Sequence, residues 1–84
     1  MAAILTIEAL SAIAEEIIGL PSIALSSQML ASEIPGWDSL NHTLIILEIS
    51  NMLGIELSAE ETAHLPDLGA LVALANSRVR SRQA

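Results

Sequence analysis

The stretch "GWDSLNHTLIILEISNMLG", residues 36–54, decides how the chain is read. No proline interrupts it and a glycine stands at each end, so one helix can run through it. Asp38 and Ser39 are both residue types that start helices, because a side-chain oxygen can accept the unpaired N–H groups of a first turn. The spacing predicts a helix from Asp38 or Ser39 to Leu53–Gly54. His42, Ile46, Ile49 and Leu53 recur on one face, with Ile45 at its flank. Leu40, Leu44, Leu47, Glu48 and Asn51 fall on the opposite face. A helix that is apolar on two sides is either central or keeps its outer stripe for a partner.

Upstream, Ile7, Leu10, Ile13, Ala14 and Ile17 repeat at spacings of three and four, which predicts a first helix from about Thr6 to Ile18. Gly19 stops it and Pro21 follows. Residues 19–37 then form a long apolar connection, in which Ile23, Leu25, Met29, Leu30 and Ile34 are expected to fold back onto the core. A short helical turn is expected near Ser27 to Leu30. Downstream, Ser58 and Glu61 form the S-x-x-E capping box of a short helix, Ala59 to His64, which Pro66 ends. Asp67 caps a last helix through Leu68, Leu71, Val72, Leu74 and Ala75 to about Arg80, with arginines placed to suit its dipole. The fold expected is all-α: one domain over residues 1–84, a four-helix bundle with a long first loop and a short third helix.

Composition narrows the function. Hydrophobic residues make up 52 % of the 84, with one Trp and no Phe or Tyr, so the core is aliphatic. A chain this size has a stability of roughly 4–12 kcal/mol. Without cysteine there is no disulfide and no thiolate metal site. The net charge is −7: residues 1–77 hold every acid and no base, and Arg78, Arg80 and Arg82 hold all the positive charge. Such a body repels phosphate backbones and speeds the encounter with basic protein partners. The N-terminal stretch has no basic start, and no run approaches the roughly 20 apolar residues of a membrane span. A cytoplasmic monomer, with neither nucleic acid nor membrane as partner, is the expectation.

Ser39 needs more explanation than capping gives, because one cap accounts for Asp38 or Ser39 but not for both. As a nucleophile it would need a base, and His42, three residues on, points toward the core face. No G-x-S-x-G elbow exists, so no catalytic residue is assigned. No metal site is assigned either: His42 and His64 have no ligand spacing, and are read as half-buried and solvated respectively. The remaining reading is modification. A helix N-terminus suits a phosphate ester. Asp38 would stand beside it for a modifying enzyme and that enzyme's metal, and the small Gly36 would keep the approach open.

"GWDSL", an amphipathic helix, "GIEL", a capped short helix and a final apolar helix together resemble the acyl carrier protein family over nearly the whole chain. The resemblance implies a bundle of acyl-carrier type. It implies that Ser39 carries 4′-phosphopantetheine taken from coenzyme A, with Asp38 as the matching aspartate and Leu40 the leucine that meets the modifying enzyme. The thiol of the arm would carry cargo as a thioester. Implied partners are a phosphopantetheinyl transferase, an acyl- or aminoacyl-activating ligase, and acyltransferase or ketosynthase-type enzymes. Partner-facing residues expected on this reading are Trp37, Leu40, Leu44, Leu47, Glu48, Glu56, Glu60 and Glu61. Fatty-acid carriers line the second helix with acids, whereas this one has only Glu48 there, and Trp37 precedes the aspartate. The resemblance is therefore to carriers of specialised polyketide, nonribosomal-peptide or lipid-like pathways more than to housekeeping fatty-acid synthesis. The alternatives are a small acidic helical adaptor with no prosthetic group, whose partner covers Leu44 and Leu47, and a small hydrolase.

Overall fold

Short-range signals set each helix boundary. The structure, a computed structural model, describes residues 4–19 and 25–83. Among these there are α1 (Ile7–Ile18), a 3-10 turn (Ala31–Glu33), α2 (Ser39–Leu53), α3 (Ala59–Ala63) and α4 (Leu68–Gln83), and no strand. The Thr6 hydroxyl accepts the Ala9 N–H at 3.1 Å to open α1, and Gly19, at φ 85°, closes it. Gly54, at φ 65°, closes α2 in the same way. The capping box at α3 is reciprocal: Glu61 N–H donates to Ser58 Oγ at 3.1 Å, and Ser58 N–H donates to Glu61 Oε2 at 2.8 Å. Asp67 Oδ1 accepts the Ala70 N–H at 2.9 Å at the head of α4.

Helix α4 runs past Arg80 to Gln83, because its arginines reach other elements. Arg82 donates to the carbonyls of Leu53 and Gly54 at 3.1 and 2.8 Å, serving acceptors that the end of α2 leaves unpaired. Arg78 donates to the Glu56 carbonyl at 2.8 Å and pairs with the Glu61 carboxylate. These bonds fasten the last turns of α4 to the far side of the bundle.

The core is aliphatic with one aromatic. Leu10, Ile13 and Ala14 of α1 meet Ile45, Ile46, Ile49 and Leu53 of α2, and Leu68, Leu71, Ala75 and Val79 of α4. Leu5, Ile34, Trp37 and Ile55 enter it from the connections. Helix α1 packs against α2 and α4, and α3 packs against α2. The radius of gyration, 11.9 Å, is about that of a compact chain of this length.

The long connection is clipped to the start of α4. Leu68 N–H donates to the Met29 carbonyl at 2.9 Å, and Gly69 N–H to the Ser27 carbonyl at 2.8 Å. A Cβ at position 69 would stand 3.1 Å from both Ser27 Cβ and Ser27 O, so the bare glycine permits the close approach. The turn expected near Ser27–Leu30 forms as a single hydrogen-bonded turn, with Met29 N–H donating to the Ser26 carbonyl at 3.2 Å, and a 3-10 turn follows it at Ala31–Glu33. Ile34 is buried, and Leu25 and Met29 pack partly against the core. Leu30 departs from expectation: it stays 43 % exposed, because the turn that follows faces it outward. Pro21 and Ile23 lie outside the described residues. Among the described residues, no helix is long and apolar enough to cross a membrane.

Candidate functional site: the start of α2

Asp38, not Ser39, caps α2. Its backbone is extended, and its Oδ1 accepts the Asn41 N–H at 2.8 Å. The Asp38 carbonyl accepts the His42 N–H at 2.8 Å. Ser39 is thus the first helical residue, exposed, and its hydroxyl makes no hydrogen bond with any described residue. The pair that one cap could not explain is resolved, since the aspartate performs the capping and the serine hydroxyl is left over.

The loop before Asp38 is held on three sides. Gly36, at φ 86°, turns the chain, and its carbonyl accepts from Asn41 Nδ2 at 2.8 Å. A Cβ at position 36 would fall 2.5 Å from Ile18 Cγ2 at the end of α1. The glycine therefore lets the loop approach α1. Trp37 departs from expectation: expected among the partner-facing residues, it is buried, 8 % exposed, because its indole packs into the core between the loop and α2. Its Nε1–H donates to His42 Nδ1 at 3.0 Å. His42 Nε2 in turn lies 2.8 Å from Thr62 Oγ1, and the Thr62 hydroxyl reaches the Ser58 and Ala59 carbonyls at 3.0 and 3.1 Å. A partly buried chain of polar groups thus joins the loop, α2 and α3.

Beside Ser39 a cleft of about 390 Å³ opens between the loop, α2, α3 and the start of α4. Trp37, Ser39, His42, Thr62, Leu68 and Leu71 are among its walls, so both polar and apolar side chains line it. Burial lowers the pKa of His42 from its ordinary 6.5, against a smaller opposing pull from the Ala59 backbone. His64 is exposed. Among the described residues, no group of His, Cys, Asp or Glu is gathered as a metal site.

The outer face of α2 carries Leu40, Leu44 and Leu47, which are 68, 41 and 55 % exposed. Spacings of four and three place them in one stripe. Glu48, Glu56 and Glu60 are exposed around it. Glu61 is also at the surface, but its carboxylate is engaged within the chain: hydrogen bonds from Arg78 and then from the Ser58 N–H hold its pKa down to about 2. The Arg78 guanidinium is correspondingly held above its usual range by Glu61. A partner would therefore have to compete with Arg78 for Glu61.

Sequence reasoning missed Thr62, the one polar residue among the described residues that is classed as buried. The available signal was His42 on a core face, since a half-buried imidazole needs partners for both ring nitrogens. Comparison of the chain with protein-family models, with curated proteins and with solved structures gives no match.

Proposed function

We propose that the chain is an acyl carrier: a bundle of acyl-carrier type that holds 4′-phosphopantetheine on Ser39 and presents acyl or aminoacyl groups to successive biosynthetic enzymes. The observation that carries the reading is the unbonded, exposed Ser39 hydroxyl at the first position of α2, at the mouth of a cleft into the bundle.

The residues present fit such a group. Asp38 and the ladder of α2 take the N–H groups of Asn41 and His42, so those of Ser39 and Leu40 remain to face a phosphodiester, where the helix dipole favours negative charge. Asp38 is exposed next to the hydroxyl, within reach of a modifying enzyme. When bound, the group supplies a terminal thiol, which this cysteine-free chain lacks, and cargo rides on it as a thioester. The chain's own part is to display the hydroxyl, hold the loop rigid and offer a docking face. The stripe of Leu40, Leu44 and Leu47 would receive the transferase and the loading and consuming enzymes, with Glu48, Glu56 and Glu60 steering basic surfaces toward it. Because that stripe is apolar where fatty-acid carriers are acidic, a specialised pathway in the cytoplasm is the setting proposed.

The test is intact mass after incubation with coenzyme A, magnesium and a broad-specificity phosphopantetheinyl transferase. A gain of one phosphopantetheine, absent in Ser39→Ala, supports the carrier. The exposed stripe also favours a second reading, an acidic helical adaptor. The adaptor predicts no gain in mass, and partner binding that Ser39→Ala leaves intact and Leu47→Glu abolishes.

A further inference from the structure

The chain Trp37–His42–Thr62 has a single consistent proton arrangement when the imidazole is neutral. An indole N–H can only donate, so His42 Nδ1 accepts at 3.0 Å and the ring proton sits on Nε2. Nε2–H then donates to Thr62 Oγ1 at 2.8 Å, and the Thr62 hydroxyl proton turns to the carbonyls at the start of α3. The two rings lie 6.2 Å apart between centroids and tilt by 42°, so it is the hydrogen bond rather than stacking that ties them.

We propose that His42 is a proton-operated latch on the cleft beside Ser39: neutral, it pins Trp37 to the cleft wall, and a proton on Nδ1 releases Trp37 and opens the wall between the loop and α2. The proton comes from solvent and takes the Nδ1 lone pair that accepted the indole N–H. Two donors then face each other, and the Trp37 bond is lost. The Nε2–H bond to Thr62 remains and strengthens, because its donor is now charged. The latch thus lets go of the loop while keeping α2 tied to α3. It works whether or not Ser39 carries a prosthetic group.

The groups around the latch set its direction. Asp38 stands one turn earlier on α2, Glu60 lines the cleft from α3, and Asp67 lines it from the head of α4. Among the described residues, no arginine lines the cleft. Burial opposes the proton and, more weakly, the Ala59 backbone favours it. Burial prevails, so release falls on the acid side of histidine's ordinary 6.5.

Because Trp37 is the only Trp, Tyr or Phe in the chain, its fluorescence reports the latch directly. The full chain is titrated from about pH 8 to about pH 5, the window of histidine charging. Acrylamide quenching of Trp37, the ring protons of His42 by NMR, and helix content by circular dichroism are followed together. The expected result is a red-shifted, more quenchable Trp37 at constant helix content, with a midpoint equal to that of His42. His42→Gln removes the step. Thr62→Val moves it to lower pH, because the charged ring loses its acceptor; a merely structural threonine would leave the midpoint in place. Three results would each overturn the latch: His42 titrating with no change at Trp37, the step persisting in His42→Gln, or Trp37 becoming exposed only as helix content is lost. Intact mass after transferase treatment reports the carrier reading separately, so either idea can fail alone.

Discussion

Gly19 and Gly36 make a matched pair of perturbations, and together they test how the loop before Ser39 is held. Their φ angles are 85° and 86°, so an alanine at either carries the same left-handed backbone penalty, about 1–2 kcal/mol. Their surroundings differ. Among the described residues a Cβ at 19 meets nothing within 4 Å, whereas a Cβ at 36 meets Ile18 Cγ2 at 2.5 Å. That methyl sits on a β-branched carbon at the end of a helix, where rotation is restricted, so it cannot swing away cheaply. Overpacking of this kind costs about 1–3 kcal/mol more. Gly36→Ala should therefore lose about 2–5 kcal/mol against about 1–2 for Gly19→Ala. Urea unfolding followed by Trp37 fluorescence and by circular dichroism reads the difference as a lower midpoint at unchanged slope. Equal losses in the two variants would refute the reasoning, because the loop would then be free to move off α1. Such mobility would also undercut the fixed presentation of Ser39, since the Gly36 carbonyl is held by Asn41.

Asp38→Ala should cost about 0.5–2 kcal/mol by removing the cap of α2, while Ser39→Ala should stay within about 0.5 kcal/mol of wild type; comparable losses would mean that the serine is structural after all. Glu61 is held down to about 2 from an ordinary 4.5, so its charge stabilises the fold above pH 4.5 and that contribution disappears as pH falls through about 2. Denaturation of wild type and Glu61→Gln across that range should show wild type ahead at neutral pH and the two converging in acid; a constant gap would contradict the assignment. Leu40→Ala should leave the stability within about 0.5 kcal/mol of wild type, since Leu40 is 68 % exposed, while Leu44→Ser and Leu47→Ser, whose side chains are partly covered, should cost about 1 kcal/mol. The same variants should raise the KM of the modifying transferase, and unchanged kinetics would remove the docking stripe.

What was legible in the sequence was local. Gly19, the Ser58–Glu61 box and Asp67 each act within four residues of themselves, and the structure uses each as its chemistry suggests. The faces of α1 and α2 follow from periodicity alone. What was not legible depends on distant partners. The two loop carbonyls that serve α4 lie some 40 residues before it, and no local propensity encodes that clip. Trp37 read as a surface anchor because a lone aromatic beside a cap fits either side of a boundary, and only its bond to His42 settles the matter. Arg78 and Arg82 read as dipole partners of α4, yet their hydrogen bonds go to α2, its following turn and α3. At the site itself, DSL was visible as a motif. The division of labour within it, with the aspartate capping and the serine unbonded, needed the geometry.

The central claim is tested most directly by mass spectrometry of the protein purified from the cells that make it. The peptide spanning Trp37 to Leu40 should carry phosphopantetheine on the Ser39 oxygen in a substantial fraction of molecules. If that peptide is found only unmodified, in cells whose other carriers are loaded, the account is wrong.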